Sequence, residues 1–489
     1  MRFRRYLFAA LVLFSVAGVA TFFLVAEPIQ KIYLTDSGYV PKESTIRAGT
    51  TVIFYNYTTT PFWPASNTHP EHTQYPDFDP QSPVPAGGNW SYTFTAPGKY
   101  GFHDHLRPQF RGTIFVTDAQ GVVPTLDCTN GNNAACFEEA IIKTLREDGV
   151  EAAFKVLTDF MEQYPTFTDD CHGYAHLIGE HAFSLFQNDF DFAVTPAATS
   201  CGYGFYHGFM GTLLLTTGDV ALAQAFCKYV DDKATIGASA TVSACYHGSG
   251  HGAVDGGDPN TWGDPKAMMA PGFALCAQLA ESFFEEYLCH TGVYNAIEIL
   301  SQDSTYQISY LRDDPFLLCV DEPVERQEAC YTNWTPALLQ FIDGDFLAGL
   351  DYIDQRLENG EVPTIEGYTT KEMVVLSFMH EYYKLNQHDW HYQTKGIELC
   401  RSRATDSDRL ACIEGLSGGH IKYGIPNREY EQNLVFCSNT MLVEDEQNAC
   451  YRHLLTRLQN RYDSETISNI CQAVPAVMAE RYCSDYQYE

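Results

Sequence analysis

The chain has 489 residues, 45% of them hydrophobic, enough for two to four domains with cores of their own. Its 62 acidic residues against 30 basic ones leave a formal net charge of −32. That balance excludes nucleic acid and anionic lipid headgroups as partners, because phosphate binding needs clustered cations.

Three arginines in Met1-Arg-Phe-Arg-Arg5 precede an uncharged apolar run from Tyr6 to Val25. A run of about 20 such residues spans a hydrocarbon core as a helix. The basic flank predicts a transmembrane signal anchor over residues 1–26, with everything after it outside the membrane. The partner there is the membrane itself, and the protein sits at the cell membrane as a single-pass, extracytoplasmic molecule. Gly18-Val-Ala20 offers small residues for a cleavage site, the alternative in which the chain is secreted.

Residues 29–118 read as an all-β sandwich. Thr45-Ile-Arg47 and Thr51-Val-Ile-Phe-Tyr55 are short, β-branched and aromatic, and Ala48-Gly49 turns between them. Ser91-Tyr-Thr-Phe-Thr95 alternates polar and apolar residues, Tyr100-Gly-Phe102 follows a turn, and Thr113-Ile-Phe-Val116 closes the unit. Residues 61–88 are proline-rich and aperiodic, and are expected as loop.

The opening Gly38-Tyr-Val-Pro-Lys-Glu-Ser-Thr-Ile-Arg-Ala-Gly-Thr-Thr-Val-Ile-Phe-Tyr-Asn56 and the closing Lys99-Tyr-Gly-Phe-His-Asp-His105 with Gly112-Thr-Ile-Phe-Val116 resemble a cupredoxin, the plastocyanin-like copper sandwich. His103-Asp-His105 also resembles the His-x-His of a multicopper-oxidase domain. The resemblance implies copper at the loop end of the sandwich. Where the family keeps its first histidine this chain has Pro61-Phe62-Trp63; Phe102 or Asp104 stands near the family's cysteine, and Phe110 near the axial position. The first cysteine is Cys128. A blue site needs two imidazoles, a thiolate and a weak axial ligand, so a non-blue site is expected.

A His-x-His on a strand sends both imidazoles to one face, and Asn67-Thr-His69-Pro-Glu-His72 supplies two more from the long loop. The expected ligands are therefore His69, His72, His103 and His105, binding copper, or zinc as the alternative. Asp104 or Glu71 is the expected carboxylate behind them. The competing reading makes these histidines loop caps bonded to backbone.

After a linker over residues 119–133, the pattern becomes helical over 134–489. In Cys136-Phe-Glu-Glu-Ala-Ile-Ile-Lys-Thr-Leu145, apolar residues recur three and four apart. The sixteen cysteines suit an oxidising compartment and disulfides. Pairing sequence neighbours gives Cys128/Cys136, Cys171/Cys201, Cys227/Cys245, Cys276/Cys289, Cys319/Cys330, Cys400/Cys412, Cys437/Cys450 and Cys471/Cys483. The second members are followed by similar tripeptides, as in Cys245-Tyr-His-Gly248 and Cys289-His-Thr-Gly292. From Cys245 through Cys289, Cys330 and Cys412 to Cys450 the steps are 44, 41, 82 and 38, as if one pair were missing near residues 360–385. A period near 40 predicts an all-α, disulfide-stapled, α-solenoid-like repeat of stacked helix pairs.

His172-Gly-Tyr-Ala-His176 and His247-Gly-Ser-Gly-His251 each place two imidazoles one helical turn apart. With His207, stacked repeats can bring His172, His176, His207, His247 and His251 to one groove, where a metal or haem can bind; alternatively these are structural joints. Three functions follow in order. The first is an exported, membrane-anchored copper protein, not an enzyme, handling electrons or copper ions for a redox or protein partner. The second is a helical-repeat binding module for a protein or glycan, with the sandwich as spacer. The third is a metal-dependent enzyme using the helical histidines.

Overall fold

A computed structural model of the chain describes residues 28–67, 72, 75–123, 134–164, 167, 170–186, 192–193, 195–233, 239–254, 256–357 and 367–483. The expected anchor over residues 1–26, His69, Glu71, Cys128 and most of the linker lie outside the described residues. Among the described residues no helix is long and apolar enough to cross a membrane.

The first part consists of strands β1 (Ile29–Thr35), β2 (Gly38–Val40), β3 (Glu43–Arg47), β4 (Thr50–Asn56), β5 (Pro64–Ser66), β6 (Asn89–Phe94), β7 (Gly98–Asp104) and β8 (Arg107–Thr117). They form two four-stranded sheets, β2-β1-β4-β6 and β3-β8-β7-β5. β1 pairs parallel with β4, and β3 with β8. Strict alternation explains the sandwich: in β4, Val52 and Phe54 are fully buried while Thr51, Ile53 and Tyr55 are half-buried. Ile32, Leu34, Phe94, Phe102, Ile114 and Val116 complete the same core, each side chain contributing roughly 1.5–3 kcal/mol by leaving water.

Part of the expected loop over residues 61–88 is ordered against the sheet. β5 pairs with β7, and Phe62 bridges to Val84. A three-residue strand beginning with proline carries little sequence signal, and proline is tolerated there because β5 is an edge.

From residue 134 onward the described elements are helical. They come as pairs, such as Val220–Lys233 with Ser239–Gly252, Pro265–Leu279 with Phe283–Gln302, and Tyr392–Arg401 with Asp406–Tyr423. Starts are capped by side chains: Ser282 Oγ accepts from the Glu285 N–H, and Glu285 accepts in return from the Ser282 N–H. Between described residues, seven disulfides join sequence neighbours, Cys171–Cys201, Cys227–Cys245, Cys276–Cys289, Cys319–Cys330, Cys400–Cys412, Cys437–Cys450 and Cys471–Cys483. Most of them staple the first helix of a pair to the second. The pair Phe346–Arg356 and Thr370–Asn386 carries no cysteine and falls where the spacing doubles. Seven disulfides suit an extracytoplasmic, oxidising environment.

An open solenoid is not what results. The helices curl until the end of the Glu444–Gln459 helix meets the start of the histidine-bearing half: the Ala240 N–H donates to the Asn460 carbonyl at 3.0 Å, and Arg461 donates to Ser200 Oγ at 2.7 Å. The repeat therefore closes on itself.

Candidate metal centre

β7 carries His103 into the interior, and its register against β8 shifts between His103 and Asp104. Such an irregularity re-aims side chains at a strand end. The His105 N–H, just past it, donates to the Trp63 carbonyl at 2.7 Å, which pins the turn against the chain leading into β5. Asp104 faces the other way. Its carboxylate accepts from the Trp63 N–H and from Arg107 Nε, each at 2.7 Å.

His72 enters from the long loop with a left-handed backbone, φ 53°, a conformation uncommon for residues other than glycine, though histidine adopts it more readily than most. Ser66 Oγ fixes it by donating to the His72 carbonyl at 3.0 Å. Its Nδ1 lies 2.6 Å from Asp79 Oδ2. Asp79 Oδ1 accepts from Trp63 Nε1 and from the Gln81 N–H, both at 2.6 Å. With its proton held on Nδ1 by the carboxylate, His72 turns its Nε2 lone pair inward, 2.8 Å from His105 Nδ1. A carboxylate behind the far nitrogen is how metal-binding histidines are oriented. Asp79 therefore takes the place expected for Asp104. Sequence reading missed it because it lies in an aperiodic proline-rich stretch, and only the folded loop brings it to His72.

One donor atom from each of His72, His103 and His105 lies within 4.8 Å of the other two, all three side chains buried. Burial above all drives the His103 and His105 rings well below the usual imidazole range. Both are neutral at physiological pH, as metal ligation requires. Burial pushes the Asp79 carboxyl up, but its bonds from His72, Trp63 and Gln81 outweigh that and leave it below the usual carboxylate range. The residues present fit a metal with three imidazole ligands and an open position. No thiolate completes a blue site, since the described cysteines are all disulfide-bonded.

The helical part covers this end of the sandwich. His105 Nε2 meets the Tyr306 hydroxyl, and Trp262 packs edge-on to the Tyr306 ring at 5.1 Å. Trp262 also packs on the small cluster of Trp63, Ala65 and Leu106. Arg111, opposite His103 across β7 and β8, pairs with Glu180 of the Cys171–Phe186 helix at 2.6 Å. The sandwich is thus docked on the helical part by its histidine end.

The second histidine set also comes together. The helices Cys171–Phe186 and Gly204–Thr217 cross at Gly179 and Gly208: a Cβ on Gly208 would lie 2.0 Å from the His176 carbonyl oxygen, and one on Gly179 would lie 2.0 Å from that of Phe205. Only glycine permits that approach. The His207 ring consequently lies 5.1 Å from His172, 6.4 Å from His176, 5.0 Å from His247 and 4.1 Å from His251, centroid to centroid. The outer members are joints as well: His172 Nδ1 bonds the Cys201 carbonyl, and His247 Nδ1 bonds Thr291 Oγ1, each at 2.8 Å. Burial lowers both rings to about 3.

No protein-family model matches the chain, and no curated protein matches it. Its neighbours among solved structures are cupredoxins. A purple cupredoxin from Nitrosopumilus maritimus is 23% identical over 18% of this chain and 99% of that one, with a TM-score of 0.16. An amicyanin variant in the Cu(I) state is 21% identical over 19% of this chain and 87% of its own, with a TM-score of 0.16. A reduced amicyanin variant is 22% identical over the same shares, with a TM-score of 0.17. Each likeness covers less than a fifth of this chain, and the case for a metal rests on the imidazoles.

Proposed function

We propose that the protein is an extracytoplasmic copper protein whose sandwich holds one ion between His72, His103 and His105, in a non-blue site. The observation that carries this reading is the convergence of three buried, carboxylate-braced imidazoles at one end of the sandwich. Three nitrogen donors suit copper and zinc alike; the sandwich's resemblance to the cupredoxins favours copper. Burial favours electron transfer over ion delivery: Trp63 and the Tyr306 hydroxyl cover His105, so an ion leaves only when the helical part lifts. The apolar run at residues 6–25 would tether the molecule to the membrane it serves.

The groove needed by a protein- or glycan-binding solenoid is not favoured, because the repeat closes on itself through Ala240–Asn460 and Arg461–Ser200. The test is copper loading of the full chain beside a His103→Ala/His105→Ala variant. The wild type should hold copper without an intense thiolate charge-transfer band, and the variant should lose one equivalent. Equal copper content in the two would overturn the reading.

A further inference from the structure

The helical part carries a second cluster of buried imidazoles beside the first, with the hallmarks of a site in its own right. His207 sits at its centre, and neither its Nδ1 nor its Nε2 has a hydrogen-bond partner among the described residues; nor does His251 Nε2. Leaving imidazole nitrogens buried and unpaired is unfavourable. Three such atoms on two stacked rings therefore point to something that joins them. A cavity of about 50 Å³ adjoins them, lined by His176, Glu180, His207 and His251 together with Pro108 of β8. It has room for an ion or a water molecule and is too small for a porphyrin.

The brace behind the cluster repeats the brace behind the first. His176 Nδ1 lies 3.2 Å from Glu180 Oε1, and the other Glu180 oxygen accepts from Arg111 at 2.6 Å. Asp79 stands in the same relation to His72. Braced through Nδ1 by Glu180, His176 lines the same cavity as His207 and His251. Burial drives the His207 and His251 rings well below the usual imidazole range, so both offer lone pairs at physiological pH. His172 and His247, by contrast, are anchored to Cys201 and Thr291 and belong to the frame.

We propose that His176, His207 and His251 form a second binding site, for a divalent cation of the Zn(II) or Cu(II) class, at the seam between the helical part and the sandwich. The His207 and His251 rings lie stacked at 8° to each other, so an ion is taken up by turning the imidazoles about their χ2 toward the cavity. Arg111 ties the two centres together, facing His103 across the sheet and bonding the carboxylate that braces His176.

The test is the number of ions held per full-length chain after loading with Zn(II) and removal of excess, by elemental analysis. Wild type should hold two, a His207→Leu/His251→Leu variant one, and a His72→Ala/His105→Ala variant one. A wild type holding one ion, lost in the sandwich variant and kept in the helical variant, overturns the proposal; ordered water would then satisfy the helical nitrogens. One ion lost in the helical variant alone would sustain this site and sink the sandwich site instead. Should the helical variant fail to fold, the sandwich variant still decides, since one retained ion supports the site and none contradicts it.

Discussion

Asp79→Asn is the substitution that tests most sharply how the sandwich histidines are prepared for a metal. The carboxylate accepts three hydrogen bonds of 2.6 Å, from His72 Nδ1, Trp63 Nε1 and the Gln81 N–H. An asparagine of the same size keeps the acceptor for Trp63 and Gln81 and presents an NH2 to His72. That donor is matched only if His72 moves its proton to Nε2, the atom aimed at His105 and the ion. The substitution therefore leaves the loop standing and spoils one ligand of three. Loss of such a carboxylate brace lowers metal affinity about 10–100-fold, equivalent to roughly 1.4–2.8 kcal/mol. Competition against a chelator of known affinity reads this directly, with circular dichroism and the melting temperature confirming the fold. An unchanged dissociation constant in a folded Asp79→Asn protein would refute the claim that Asp79 sets the His72 tautomer. Asp104→Asn is the control: it faces Trp63 and Arg107, so it should lower stability more than metal affinity.

Other expectations follow from the same contacts. Tyr306→Phe removes the hydroxyl that meets His105 Nε2 and should lower stability by about 1 kcal/mol, while shifting the spectrum of the copper-loaded chain; an unchanged spectrum would uncouple the helical part from the site. Glu180 is lowered to about 2, burial being outweighed by Arg111 and His176, so its contribution is complete above the unfolded value near 4.5 and is lost as pH falls toward 2. In the metal-free protein, His172 and His247, lowered by burial to about 3, are neutral when folded and protonated when unfolded below pH 6.5. Each removes up to about 1.4 kcal/mol of stability per pH unit between 6.5 and 3, so urea midpoints should fall across that window; midpoints flat from pH 6.5 to 4 would contradict the burial of these rings. Opening Cys227–Cys245, with a separation of 18 residues, should lower stability by roughly 3 kcal/mol, read from denaturant midpoints of a Cys227→Ala/Cys245→Ala variant. Gly208→Ala, whose Cβ would meet the His176 carbonyl oxygen, should destabilise by at least about 1–3 kcal/mol.

The sandwich was legible because its strands alternate and its turns are local: Thr51 to Tyr55 and Thr113 to Val116 declare themselves by period two. Neighbour pairing of cysteines was legible because the helix pairs are short and each staple is closed within one repeat. Closure of the repeat was not, since it depends on Ser200, Ala240, Asn460 and Arg461 meeting across more than two hundred residues. His-x-His at 103 and 105 announced two of the three imidazoles that meet. Asp79 and Tyr306 could not be read in advance, because neither belongs to a periodic pattern and each reaches the histidines only through tertiary folding. The helical histidines were foreseen as a set, but their division into anchored joints (His172, His247) and a centre whose His207 nitrogens and His251 Nε2 have no partner among the described residues needed the hydrogen bonds.

The central claim is that imidazoles from the long loop and from the end of β7 together bind copper. X-ray absorption at the copper edge of a His207→Leu/His251→Leu chain, loaded with one equivalent, tests it most directly. The account predicts a first shell of three imidazole nitrogens with no sulfur, abolished by adding His72→Ala/His105→Ala. A sulfur shell, or an imidazole shell unaltered by those two substitutions, would contradict it.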